Sequence, residues 1–147
     1  MSVFSQIVEN KALAIPVVAW IIAQILKTII QSLRDRHFNI RYMVSAGGMP
    51  SAHTALVSSL ATTIGILFGV SSGLFAISAI LAFVVMYDAT GVRQAVDKQS
   101  AVLNHLMDNF PKTKHEFEYI LRQLVGHTRL QVTMGAILGV LLAAWLA

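Results

Sequence analysis

The sequence predicts an all-α fold: an integral-membrane helical bundle of about four transmembrane helices, with an amphipathic helical segment on the cytoplasmic side. Three observations predict it. Hydrophobic residues fill 56% of the 147 positions and charged residues only 12%, with a mean hydropathy of +0.68, whereas a soluble domain carries about 25% charged residues. The apolar residues gather in four stretches, each close to the ~20 residues that cross a ~30 Å hydrocarbon layer. Within those stretches Ala, Gly, Ser and Thr are mixed with Leu, Ile and Val, which suits helices that approach one another closely in lipid. Open sheets are excluded in that setting, because their edges leave backbone groups unpaired. The chain reads as a single membrane domain, 1–147.

The first expected span is 12–33, with Lys27 in its last third. Residues 1–11 are mildly polar, and no small-residue cleavage site follows the apolar run, so no signal peptide is expected. The second span is 51–70. The "SSG" at 71–73 breaks it from the third, 74–92. The fourth is 128–147, where "GAILG" sets Gly135 and Gly139 four residues apart. That small-xxx-small pair favours close packing or dimerisation, and a homodimer through small-residue faces is compatible with it.

Two polar connections remain. Residues 34–49 carry Arg34, Arg36 and Arg41 and end in a glycine turn. In residues 93–127, Ala95, Val102, Leu103 and Leu106 are spaced for an amphipathic helix face. "NFPKTK" interrupts it at Pro111, and Phe117, Ile120, Leu121 and Leu124 then line a second apolar side, the pattern of a helix lying at a membrane surface. Nearly all Lys and Arg fall in or beside these two connections, so the positive-inside rule places both in the cytoplasm. Arg36, Arg41, Lys112 and Lys114 read as topology determinants or headgroup contacts. The net charge of +4 is scattered among apolar segments, so the expected partners are membrane lipids and phosphate rather than nucleic acid. With no cysteine, disulfides, thiolate nucleophiles and Cys-ligated metals are excluded.

The chemistry gathers around two histidines. "GGMPSAHTA" and "LVGHTRLQV" each set a His-Thr pair at the N-terminal end of a membrane helix, and with four spans both ends open on the same side. A helix N-terminus exposes unpaired N–H groups and the positive end of the dipole, which makes it receptive to anions. Two histidines there divide the labour of phosphoryl transfer: one attacks phosphorus, the other protonates the leaving alkoxide, and water completes hydrolysis. Cations and backbone amides stabilise the equatorial oxygens. The sequence offers no HExxH motif and no aspartate-rich pair, so neither metal nor cofactor is expected.

Taken with their spacing, these stretches resemble the type 2 phosphatidic acid phosphatase superfamily, shared with vanadium haloperoxidases, and in particular its divergent bacterial branch. The superfamily signature is Lys, six residues, Arg-Pro; then Pro-Ser-Gly-His; then Ser-Arg, five residues, His, three residues, Asp. "KTIIQSLR" supplies Lys27 and Arg34, with Asp35 where proline would stand; "PSAH" supplies Pro50, Ser51 and His53, with Ala52 for glycine. "GHTRLQVTMG" supplies His127, with Gln131 for the aspartate, and Arg122 is one residue closer to that histidine than the signature has it. "GGMPSAHTA", "MYDATGVRQA" and "GHTRLQV" fit the divergent branch better. The resemblance implies that His127 is the nucleophile and His53 the acid. Lys27, Arg34, Ser51 and Arg122 would contact phosphate. Gly48 and Gln131 are further candidates for the lining of that site, and Arg93 either binds phosphate or neutralises Asp88. The resemblance also implies a lipid-phosphate substrate (polyprenyl, phosphatidyl or diacylglyceryl) and a bacterial plasma membrane location.

Gln131 can hold an imidazole N–H but adds no negative charge, and in a hydrolase triad a carboxylate-to-amide change can cost ~10⁴ in rate. Asp88, near the membrane end of the third span, is either the replacement orienter of the histidine or a structural partner of Arg93. If neither restores catalysis, the chain is a lipid-phosphate binding or translocating protein that uses the same pocket. Lys27 sits about two turns before Arg34 on roughly the same face, a position for phosphate contact rather than snorkelling. His37, His105 and His115 fall in polar connections and read as solvated. Trp20 and Trp145 are too few to form an aromatic belt.

Overall fold

The structure is a computed structural model of the chain and describes residues 3–37, 40–43, 48–91, 99 and 128–147. Five helices are described: α1 (Val3–Glu9), α2 (Lys11–Asp35), α3 (Ala52–Phe68), α4 (Gly73–Thr90) and α5 (Arg129–Leu146), with a single 3₁₀ turn at Ile40–Met43. Among the described residues there is no strand. The four longer helices fall on the four apolar stretches. Helix α1 precedes them in a segment whose mild polarity gave no signal for it. The connection 93–127, apart from Gln99, lies outside the described residues, and with it the two amphipathic segments expected there.

Helices α2, α4 and α5 are each long and apolar enough to cross a membrane, while α3 is an apolar helix of 17 residues. At 1.5 Å per residue α3 is about 26 Å long, slightly short of the ~30 Å hydrocarbon layer. Local chemistry sets the boundaries. Ser51 caps α3, its hydroxyl accepting from the Thr54 N–H, and Gly69 closes the helix at a φ of 82°. Ser72 caps α4 in the same way through the Phe75 N–H. Thr128 and Gln131 form a reciprocal capping box at the start of α5.

Two contacts fix the helix directions. The Lys11 ammonium donates to the Ala147 carbonyl at 2.9 Å, so α2 and α5 run antiparallel. The Ser51 N–H donates to the Gln131 carbonyl at 3.0 Å, so α3 and α5 begin side by side and run parallel. The short turn at 69–72 sends α4 back against α3, and α3 touches α2, α4 and α5.

What the bundle buries is the reverse of a soluble core. Its largest fully buried side chains are Thr54, Thr63, Ser51 and Ser59, beside Ala19, Ala23, Ala55 and Ala143. Large apolar side chains face outward instead: Val17, Ile21, Ile25 and Ile29 on α2, Ile77, Ile80, Phe83 and Val84 on α4, and Ile137, Leu141 and Trp145 on α5. In water that arrangement would forfeit the main driving force of folding. In lipid it gives nothing away, because the outer face is already solvated by hydrocarbon and small residues let the helices close in.

The tightest approach is α3 on α5. A Cβ added to Gly135 would meet the Ser51 carbonyl oxygen, and one added to Gly139 would meet the Ser58 hydroxyl and the Ala55 carbonyl oxygen. The small-xxx-small pair of α5 is therefore engaged within the chain, against α3.

Candidate functional site

Because α2 and α4 run against α3 and α5, one end of the bundle gathers the C-terminal ends of the first two and the N-terminal ends of the other two. This is the end where the described site residues lie. Lys27 is buried there, with 3% of its surface exposed. Its aliphatic stem lies against the backbone of Gly48, where an added Cβ would come within 2.8 Å of Lys27 Cγ and 2.9 Å of Cδ. Gly48 also has a φ of 103°, a conformation that only glycine adopts without strain. The glycine turn thus folds over the lysine stem. The Met49–Pro50 peptide that follows is cis, and the chain then enters α3 at Ser51.

Ser51 is fully buried. Its Oγ accepts from the Thr54 N–H at 3.4 Å and from Thr54 Oγ1 at 2.9 Å. A hydroxyl that accepts twice still carries one proton to donate. The backbone bond from Ser51 to Gln131 stitches the first turn of α3 to the first turn of α5, so two sets of first-turn N–H groups open in one direction. His53 is exposed on that first turn of α3.

Gln131 is half-buried, and its side-chain oxygen accepts from the Thr128 N–H at 3.0 Å. The amide that stands in place of the superfamily aspartate is therefore committed, through one lone pair, to capping its own helix. Asp35, which stands where the superfamily has proline, also has a structural task. It accepts from the Tyr42 hydroxyl at 2.8 Å and from Gln31 Nε2 at 3.0 Å, pinning the 3₁₀ turn to the end of α2. That bond to a carboxylate pushes the Tyr42 phenol pKa up. Sequence reading left this pair out, since nothing in the spacing links residues 35 and 42.

Of the remaining residues, Arg34 is exposed two turns beyond Lys27, in the last turn of α2. Asp88 is exposed near the end of α4 and makes no hydrogen bond or ion pair among the described residues. His127, Arg93 and Arg122 lie outside the described residues. Among the described residues, no group of three or more histidines and carboxylates comes together as a metal cage. The structure thus sets Lys27 against Gly48 and joins Ser51 to Gln131, places His53 on the first turn of α3, and carries Arg34 and Asp88 near the ends of α2 and α4.

A bundle with hydroxyls and alanines inside, aliphatic side chains outside, and a lysine buried at the end where two helices start defines a helical membrane protein with a polar, cation-bearing end. The family model described as "Divergent PAP2 family" matches residues 8–142, and the chain belongs to that family. It is similar to the uncharacterized membrane protein YuiD of Bacillus subtilis (strain 168), at 37% identity over 153 aligned residues covering 97% of each chain. No solved structure matches the chain.

Proposed function

We propose that the protein is a metal-independent phosphatase or phosphotransferase of a lipid phosphate, working through a phosphohistidine on His127. The observation that carries this reading is the Ser51–Gln131 backbone bond, which joins two helix starts at the end where Lys27 is buried. In the proposed step an imidazole nitrogen of His127 attacks phosphorus and the bond to the leaving alkoxide breaks. His53, in its protonated form, gives that alkoxide a proton. A water then attacks phosphorus, the P–N bond breaks to free the His127 imidazole and release phosphate, and His53 takes up the proton that the water loses. Lys27, Arg34, the Ser51 hydroxyl and first-turn amides hold the equatorial oxygens. Arg93, Arg122 and Gly48 complete the lining, and Asp88 is the carboxylate available to orient a histidine. A site at the membrane boundary leaves the lipid tail in the bilayer while the headgroup enters. The cytoplasmic side of a bacterial plasma membrane is the proposed location.

The test is phosphate release from a panel of polyprenyl, phosphatidyl and diacylglyceryl phosphates by the detergent-purified protein. His127→Ala and His53→Ala are each expected to abolish turnover, and vanadate to inhibit the wild type. A wild-type protein inert on the whole panel would sink the catalytic reading.

The capping role of Gln131 favours a second reading, a lipid-phosphate binding or translocating protein of low catalytic power. An amide already occupied by the Thr128 N–H, and carrying no charge, is a weak substitute for the carboxylate that stabilises an imidazolium. Trapping of labelled phosphohistidine separates the two: the first reading expects it, and the second expects binding that weakens in His53→Ala without any phosphoenzyme.

A further inference from the structure

Lys27, Gln31 and Asp35 follow one another at four-residue steps on α2, so they climb one face of the helix. The chain beyond α2 returns to that face at two places. At the top, the Tyr42 hydroxyl donates to Asp35 Oδ2 at 2.8 Å, and Gln31 Nε2 donates to the same oxygen at 3.0 Å. Lower down, about 12 Å along the helix axis from Asp35, the backbone of Gly48 lies against the Lys27 stem. Six residues carry the chain from Tyr42 to Gly48, a length that reaches at most about 20 Å. Holding Tyr42 at the top of the face therefore limits where Gly48 can stand.

The backbone at the start of this return needs holding. Arg36 closes α2 in the left-handed region, at a φ of 51°. A residue with a Cβ persists there only where the surrounding structure fixes it. Asp35, next to it in the chain, supplies such a fixed point through its bonds to Gln31 and Tyr42. The Tyr42 side chain is half-buried, and the turn Ile40–Met43 rests on α2. A hydrogen bond accepted by a carboxylate is roughly twice as strong as one between neutral groups. The Gln31 amide, one turn below, orients the oxygen that receives it. The raised pKa of the Tyr42 phenol has the same origin, since the Asp35 carboxylate holds on to the phenolic proton. Phosphate chemistry leaves Asp35 and Tyr42 without a role of their own, although the segment they pin ends at the glycine beside the buried lysine.

We propose that Asp35 and Tyr42 are positioning residues for Lys27: their bond holds the returning chain on α2, so that the Gly48 backbone keeps the lysine stem covered and in place. The value of this for catalysis rests on the reading that Lys27 holds phosphate, but the placement itself is measured without turnover, so the two can fail separately. The experiment is a time course of acylation of the full chain in detergent by a water-soluble N-hydroxysulfosuccinimide ester, read by mass spectrometry at Lys27 and at the exposed Lys11. In the wild type Lys27 should react much more slowly than Lys11. Tyr42→Phe, which keeps the ring and removes the hydroxyl, should raise the Lys27 rate several-fold and leave the Lys11 rate unchanged. Asp35→Ala should do the same. Asp35→Asn, which keeps an acceptor oxygen without the charge, should fall between Asp35→Ala and the wild type. The double variant Tyr42→Phe, Asp35→Ala should react no faster than the faster single variant, because both remove one bond. A Lys27 rate that Tyr42→Phe leaves at the wild-type value overturns the proposal. So does a rise shared equally by Lys11, which reports general loosening, and so do effects of the two substitutions that multiply independently.

Discussion

Lys27 and Gly48 belong to one structural unit, since the backbone of one is the wall against which the stem of the other lies. Gly48→Ala should therefore do two things at once. It places a side chain at a φ of 103°, at a cost of about 1–3 kcal/mol, and it displaces the lysine stem. The expected outcome is a lower melting temperature in detergent together with weaker vanadate binding. Lys27→Met keeps the stem and removes the charge. It should leave the melting temperature near wild type and lower kcat/KM on order of 10²-fold, the loss that follows removal of one transition-state donor. If Lys27→Met turned over lipid phosphate at the wild-type rate, the lysine would have no part in holding phosphate. The sequence pointed to Lys27 through its depth in an apolar span and to Gly48 through the glycine turn. Their contact was invisible there, because residues 21 apart meet only when the loop folds back.

At the scale of helices, the parallel pair α3–α5 depends on glycine where the two backbones meet. Gly139→Val would drive its side chain into Ser58 and Ala55, and overpacking of this kind costs about 1–3 kcal/mol. It should lower the melting temperature far more than Val140→Leu, a change at an exposed position next door. The capping box at α5 makes a smaller, separable contribution: Thr128→Ala should cost about 1 kcal/mol, readable as a modest loss of thermal stability. The four apolar stretches, the "SSG" break and the close-packing character of "GAILG" were all legible in the sequence, because each is a local pattern. The partner of that glycine pair was not legible, since a small-residue stripe carries no address and serves a second copy of the chain as well as a neighbouring helix. Gln131 shows the same limit. Its place in the motif pointed to the histidine, while the bond that its oxygen accepts from the Thr128 N–H became visible only in the structure.

At the scale of the whole molecule, composition announced a membrane protein, and the structure gives the reason in its inverted core. Lateral approach, not apolar burial, holds such a bundle together, so its interior can be polar. The sequence had Ser58, Ser59, Thr62 and Thr63 in plain view, yet nothing in their spacing separates a hydroxyl that bonds its own helix from one that does not. Topology is open to direct measurement because the chain has no cysteine. Single changes His37→Cys, beyond α2, and Ser71→Cys, in the turn between α3 and α4, should react with a membrane-impermeant maleimide from opposite sides. His37→Cys is expected to react only in inverted vesicles. Labelling of both from one side would overturn the antiparallel order of α2 and α3 across the bilayer.

The parallel order of α3 and α5 also bears on how the protein is made. Two helices that run the same way cannot enter the bilayer together as a hairpin. After α3 has crossed, α4 must return before α5 can be laid beside it. The polar end therefore stays half-built through most of synthesis, holding α2 and α3 but lacking the partner of Ser51. A nascent chain interrupted before α5 would sit in the bilayer with its glycine-matched groove open and no second helix start to complete the cradle.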